Sequence, residues 1–206
     1  MKVSTTRQET KRSGTNVLDA IENRRAVRDY TSRKVEELLI RKLLKYATYA
    51  PSAVNSQPWS FVVIQNRDIL KHISEASKEN IRQNPNFNQG HEYGFDKFIE
   101  ENFDIFYGAN TLIVICSVEC SLMGFSAEAD CFLAAQNLML AAYGLGLATC
   151  PIGLARATLQ TNLFRTMLKI PENIKPVLPI IVGYSTSNLE KVSRRLPLIH
   201  SWHESL

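Results

Sequence analysis

Residues 50–59 read APSAVNSQPW. Two prolines bracket a small polar loop. Pro51 stops any helix arriving from upstream, because proline lacks an N–H and its ring clashes with the preceding turn. The segment before it, 35–50, carries Leu38, Leu39, Leu43, Leu44 and Ala47 at helical spacing. That spacing predicts a helix with those residues on its inner face. The segment after it, 61–65, is a short β-rich run and predicts a buried strand. Ser52, Asn55 and Gln57 offer directional donors and acceptors, and Trp59 offers a flat wall. Such a set suits a planar heterocycle with polar edges; an ordinary helix-to-strand connection is the plainer reading.

Working outward, 16–25 predicts a short helix capped by Thr15 or Asn16, with Val17, Ala20 and Ile21 as its apolar stripe. A second helical pattern runs over 68–78 through Ile69, Leu70 and Ile73. The stretch 80–107 reads as an excursion from the core. It is rich in Asn and Gln, is broken by Pro85, and holds Phe87, Tyr93, Phe95, Phe98, Phe103, Phe106 and Tyr107. Its second half, 95–106, is expected to be helical. The run TLIVICSV, 111–118, is apolar almost throughout and predicts a central strand. Ser126 can cap a long helix to about Tyr143 that is apolar nearly all round, with Phe132, Leu133, Leu138 and Met139 among its residues. A helix with so little polar face must be buried on several sides, which in a chain this size calls for a partner subunit as well as the sheet. Gly144 and Gly146 end it. A further helix is expected over 155–168 and a third strand over 177–184, with Pro176 and Pro179 near its start; 188–206 has no strong pattern. Strands separated by helices give an α/β or α+β fold.

The 206 residues are 45% hydrophobic and 21% charged, which excludes disorder for most of the chain. The expected organisation is a disordered tail over 1–14 and one domain over 15–206. No apolar run reaches the roughly 18 residues of a membrane span, and the polar, basic start lacks the pattern of a secretory signal. No membrane partner and a cytoplasmic location are therefore expected. A net charge of +4 is spread along the chain in small doublets and no nucleic-acid motif accompanies it, so no nucleic-acid partner is expected. Cys116, Cys120, Cys131 and Cys150 form no CxxC and stand apart from the four histidines. Neither a metal site nor a disulfide framework is expected, and Cys116 and Cys150 read as small core residues. No GxGxxG, phosphate-binding P-loop or nucleophile elbow occurs.

Two further segments carry chemistry. RRAVRDY, 24–30, places three arginines in five residues at a helix end. It is either a solvated basic terminus complementing the helix dipole or an anion site built on bidentate guanidinium groups. GLGLATCPIGLA, 144–155, ends in a Pro-Ile-Gly turn where Gly153 lets the backbone come close to a ligand.

In this order, the three segments resemble the nitroreductase family of flavoproteins, over about 17–197. The family's Arg-x-Ser-x-Arg/Lys segment is represented by Arg24, Arg25, Ala26, Val27 and Arg28. Its Pro-Ser-x-x-Asn-x-Gln-Pro-Trp segment is matched at every specified position from Pro51 to Trp59. The central strand, long helix and Pro-Ile-Gly turn follow, then the basic pair Arg194-Arg195 before Leu196-Pro197. Ala26 stands where the family usually has Ser, and the turn lacks the acidic residue that some members carry after Pro-Ile.

The resemblance implies an α+β fold, a mainly antiparallel sheet flanked by helices, in an intertwined homodimer that binds FMN at its interface. By position, Arg24 and Arg195 would hold the phosphate, with Arg194 or Lys191 assisting and Arg25 and Ala26 in the same segment. Arg28 would lie near the pyrimidine end of the flavin. Pro51, Ser52, Ala53 and Asn55 would line the flavin from the neighbouring subunit, with Gln57 touching it directly or through a neighbour. Pro151, Ile152 and Gly153 would cover one face and bring a backbone N–H near N5. The implied activity is ping-pong transfer of electrons from NADH or NADPH to a nitro, quinone or similar small-molecule acceptor. No catalytic side chain is needed for it. The alternatives are a specialised member of the fold (a dehalogenase, a cofactor-remodelling enzyme or an azoline oxidase) and a flavin-binding protein without turnover.

Overall fold

The apolar run at 111–118 occupies the middle of the molecule. In the computed structural model, which describes residues 16–83, 95–118, 126–186 and 192–204, it forms strand β2 (Thr111–Val118). β2 pairs antiparallel with β1 (Trp59–Ile64) on one side and β4 (Ile174–Gly183) on the other. A short strand, β3 (Ala148–Pro151), pairs antiparallel with β4 and completes the order β1-β2-β4-β3. Neighbouring side chains of a strand point to opposite faces, so the unbroken apolar run serves two cores. Ile113 and Ile115 pack with Leu43, Ala47, Ala134 and Leu138. Leu112, Val114 and Cys116 pack with Leu70, Ile73, Phe106, Leu159 and Phe164. The fold is therefore α+β: an antiparallel sheet with helices on both faces.

Helices α2 (Glu37–Ala47) and α4 (Ala127–Gly144) cover the first face, with α1 (Val17–Asn23) packed against α4. Helices α3 (Arg67–Arg82), α5 (Arg156–Leu159) and α6 (Asn162–Met167) belong to the second. Asn16 caps α1, Asn66 caps α3 and Ser126 caps α4, each side-chain oxygen accepting from the first turn's N–H groups. A buried polar seam joins α3 to α5: the Ser77 hydroxyl lies 3.0 Å from that of Thr158, and Asn80 Nδ2 donates to the same Thr158 at 2.8 Å.

Several expectations are corrected. The stripe of α1 is not buried: Ala20 is, but Val17 and Ile21 face outward. α2 stops at Ala47, four residues before Pro51, and buries Ile40 where Leu38 was expected; Leu38 is 68% exposed. The helix expected over 155–168 is two short ones, because Thr161 takes an extended backbone (ψ 151°) between them. The region 95–106 holds only a 3₁₀ turn, Phe95–Ile99, and Ile105 and Phe106 are core residues rather than part of an excursion. Phe87, Tyr93, Cys120, Lys191 and the tail 1–14 lie outside the described residues. β4 begins at Ile174, three residues earlier than expected, so Pro176 as well as Pro179 lies within it. Proline has no N–H for the ladder and sits in sheets at bulges and edges; the register with β2 slips between Ile115 and Cys116, next to Pro176. Cys116, Cys131 and Cys150 are buried and free, and burial pushes the Cys116 and Cys131 thiols up to about 12. No described helix is long and apolar enough to cross a membrane.

Gly183, at the end of β4, is there for space. A Cβ on it would come within 2.7 Å of Tyr30 Cδ1. Tyr30 is buried, its hydroxyl donates to Val27 O at 2.9 Å, and it bridges to Ser185. Gly183→Ala must push Tyr30, and the segment it anchors, off the sheet. The expected loss is about 1–3 kcal/mol, the usual cost of overpacking, read as a lower urea midpoint. An unchanged midpoint would show that the ring has room to move.

Candidate functional site

The basic segment leaves α1 and runs along the edge of the sheet. Arg24 caps the helix, its N–H donating to Ala20 O at 3.0 Å. Two residues on, Ala26 forms a parallel bridge with Thr149 of β3, and Val27 N–H donates to Thr149 O at 3.0 Å. The backbone thereby lays 24–28 beside 149–153. This pairing explains why Ala26 sits in the segment without a side-chain role: its backbone takes part in the sheet, and its side chain is a methyl group.

The three arginines do different things. Arg25 Nη1 donates to Glu22 O at 2.6 Å and Arg24 O at 2.9 Å, which is the helix-end role, satisfying carbonyls at the C-terminus of α1. Arg24 is half-buried, and burial together with the neighbouring Arg194 guanidinium holds it below the ordinary arginine range. Two buried side-chain nitrogens among the described residues make no hydrogen bond: Nε of Arg24 and Nε of Arg25. Buried donors are nearly always paired. Unpaired guanidinium nitrogens with a like charge alongside are the electrostatics of a site built for an anion. Arg28 is exposed and lies against Tyr107, its guanidinium carbon 6.0 Å from the ring centre.

The turn after β3 is tied to β4 by the Ile152 N–H, which donates to Pro179 O at 2.8 Å. Ile152 is a core residue, so its side chain faces inward. Gly153 begins a 3₁₀ turn, is exposed, and has open space where a Cβ would stand. Of the three turn residues, Gly153 is exposed, Pro151 half-buried and Ile152 buried.

The loop 51–57 is strained. Val54, Asn55 and Gln57 all have positive φ, at 47°, 56° and 47°. A β-branched residue in that region is an outlier, and such strain clusters at functional sites. The loop is held by its own polar atoms: Gln57 N–H donates to Ser52 Oγ at 2.9 Å and Gln57 Nε2 to Asn55 Oδ1 at 3.2 Å. It is also anchored to α4, where Asp130 Oδ2 accepts from Ala53 N–H at 3.2 Å. Pro51, Asn55 and Gln57 are exposed, Ser52 and Ala53 half-buried. Trp59 is only 8% exposed and packs in the first core, so it supports the loop and is no wall for a ligand.

The structure thus brings together 24–28, 150–153 and Arg194, while 51–57 is fixed to α4. Arg195 lies in the exposed stretch 192–204, which has no regular structure. Two residues outside the predicted site set complete the picture: Asp130, which sequence reasoning passed over, and Tyr107, which it named only among the aromatics of 80–107. Asp130 is a buried carboxylate on an otherwise apolar helix face, and its oddness there was the available signal. Tyr107 precedes Gly108, and both take positive φ, at 54° and 74°, with the glycine the available sign of a turn. A separate cavity of about 730 Å³ lies on the other side of Tyr30, bounded by Arg67, Ser74, Phe103, Asp104 and Asn110; it contains none of the sequence-predicted site residues.

The profile of the nitroreductase family matches residues 21–184. The chain is 34% identical over 176 residues to a Methanothermobacter thermautotrophicus protein provisionally named NADH dehydrogenase/NAD(P)H nitroreductase, spanning 84% of this chain and 79% of that one. Among solved structures, it superposes on a nitroreductase with bound FMN from Bacteroides fragilis with a TM-score of 0.77 and 25% identity, covering 92% of this chain and all of the other. It also superposes on an FMN-dependent nitroreductase from Clostridium difficile, with a TM-score of 0.73 and 25% identity over 90% of this chain and 98% of the other.

Proposed function

The chain belongs to the nitroreductase family, and from that membership we propose that it is an FMN-dependent oxidoreductase. It takes electrons from NADH or NADPH and passes them to a small electron-poor acceptor, a nitro compound or quinone, by ping-pong turnover in a cytoplasmic homodimer. The observation that carries the FMN assignment is the pair of orphaned nitrogens, Nε of Arg24 and Nε of Arg25, with Arg194 pressing on Arg24. A phosphate would satisfy these donors and cancel the repulsion between the guanidinium groups.

Bound FMN would supply the redox chemistry between a nicotinamide donor and the acceptor. The protein's part is to bind, orient and polarise. Arg24, with Arg194 and Arg195 from the extended stretch, would hold the phosphate. Ala26 offers no hydroxyl there, which leaves more of the binding to the guanidinium groups. Arg28 would set a fixed positive charge near the end of the ring where negative charge gathers on reduction. The Pro151–Gly153 turn would cover one face through its exposed backbone at Gly153. The strained loop, with Pro51, Ser52, Ala53, Asn55 and Gln57, would line the flavin of the second subunit.

The test is direct. Purified protein given FMN is expected to retain it through gel filtration and to bleach anaerobically with NADH or NADPH. Reoxidation by nitroarenes, quinones and halogenated phenols in stopped flow then ranks the acceptors. Colourless protein that takes up no FMN would sink the proposal.

A further inference from the structure

Asp130 is the residue of α4 that packing alone does not explain. Among the buried residues of that helix it alone carries a charge; Cys131, Ala134 and Leu138 beside it are core residues. A carboxylate at 8% exposure needs a partner. The acidic residue two positions before it, Glu128, is the one that pairs with an arginine, Arg156 at 2.7 Å. Among the described residues, the Asp130 carboxylate has one hydrogen bond, from Ala53 N–H to Oδ2 at 3.2 Å, across 77 positions of sequence. Its place near the start of α4 also favours the charge, because a helix N-terminus is the positive end of the dipole.

Ala53 belongs to the strained loop. Val54, Asn55 and Gln57 have positive φ, and Val54 is 72% exposed, so burial of its own side chain does not offset the strain. The other hydrogen bonds of 52–57 stay inside the loop. Asn55 N–H donates to Ser52 O at 3.0 Å, Ser56 N–H to Ala53 O at 2.9 Å, and Gln57 makes the two bonds described above. Bonds of that kind set the curl of the loop but not where it stands on the protein. Among the described residues, Asp130 is the one hydrogen-bonded tie from 52–57 to another element.

We infer that Asp130 is a positioning residue for the cofactor: its buried carboxylate holds Ala53, and with it the strained loop, in the shape that presents Ser52, Asn55 and Gln57 to the flavin. The inference rests on the FMN reading above and adds to it how the loop is prepared before the cofactor arrives. A loop held in one shape binds at its intrinsic affinity. A loop that visits that shape for a fraction of the time binds more weakly by that fraction. Asp130 thus acts on affinity through Ala53 rather than by contact.

Asp130→Asn keeps an acceptor oxygen and removes the charge. Asp130→Leu removes the acceptor and leaves an apolar side chain on a buried, apolar helix face, where half-buried Ala53 can donate to water instead. The apo-proteins are compared by hydrogen exchange of the loop peptide 51–57 and by urea unfolding, and FMN affinity is read by fluorescence titration. Asp130→Leu is expected to lose the exchange protection of the loop and to weaken FMN binding about tenfold or more. Its urea midpoint should stay at or above that of the wild type, since an apolar group of similar volume replaces a buried charge at little cost. Asp130→Asn should keep the protection and bind FMN within about threefold of the wild type, because the acceptor remains. Unchanged FMN affinity or unchanged exchange in Asp130→Leu would overturn the inference while FMN binding stands, as would Asp130→Asn binding as weakly as Asp130→Leu. An affinity loss that only follows a lower urea midpoint would make Asp130 structural and overturn it equally. Should Asp130→Leu not fold, Asp130→Ala removes the acceptor with less bulk and carries the same expectations for exchange and affinity. Wild-type protein that takes up no FMN would instead bring down the cofactor reading, and the inference with it, whatever the exchange at 51–57.

Discussion

Arg24→Ala is expected to weaken FMN binding by about one to two decades while leaving the apo-protein as stable as before, or more stable. The first part follows from losing a charge-assisted hydrogen bond, worth about 1.5–3 kcal/mol. The second part follows from the state of Arg24 without ligand. It is half-buried, its Nε has no partner, and Arg194 repels it. Truncating a group in that condition removes an unsatisfied donor and a like-charge contact, and sacrifices only the packing of the stem. A structural arginine gives the opposite pattern, with stability falling and ligand affinity following it. Urea unfolding with and without FMN, alongside a fluorescence titration of FMN, separates the two. Saturated with FMN, the variant should retain most of its rate of reduction by NAD(P)H, because the phosphate end is remote from the redox ring. Unchanged FMN affinity would show that the phosphate is held elsewhere.

The parts of this fold that could be read in the sequence were those where one periodicity dominated. TLIVICSV had to be a central strand, since only a strand covered on both faces buries every residue of such a run; β2 is flanked by β1 and β4. Ser126 and Gly146 bracket α4, one capping its N-terminus and the other following its C-cap with φ 75°. Illegible parts were those decided by tertiary contact. β3 has four residues and no alternation, and exists because β4 offers it an edge. The apolar spacing of Leu159, Leu163 and Phe164 continues across Thr161, so periodicity cannot show the break there. For the site, the residue types were legible and their division of labour was not. Arg24, Arg25 and Arg28 look alike in sequence. In the structure, Arg24 and Arg25 each keep an unpaired Nε, Arg25 also binds the carbonyls of its own helix end through Nη1, and Arg28 lies against Tyr107. Trp59 looked like a ligand wall and became core, because β1 begins with it and its side chain turns toward α2 and α4.

The proposed homodimer carries the second large expected effect: dilution should release FMN and unfold the chain in one concentration-dependent step. The single chain leaves much apolar surface exposed on two packed helices and on one irregular stretch. Val17, Leu18 and Ile21 of α1 are exposed, as are Phe132 and Leu133 of α4, the helix on which α1 packs. The stretch 192–204 has no regular structure and presents Leu196 at 90% exposure, with Leu198, Ile199 and Trp202 also exposed. Extended apolar chain in water is unfavourable at about 25 cal/mol per Å², and a second copy covering both surfaces would remove it. Interfaces of this kind exceed about 2,000 Å² and resemble a core cut in half. Monomer folding is then linked to association, so the unfolding midpoint rises with protein concentration. Leu133→Asp places a charge on the exposed face of α4; in the proposed dimer it should shift sedimentation to the monomer, with FMN affinity lost in parallel, since the proposed site takes its strained loop from the second subunit. An FMN-loaded monomer at equilibrium, in either the wild type or the variant, would mean that the site is complete within one chain.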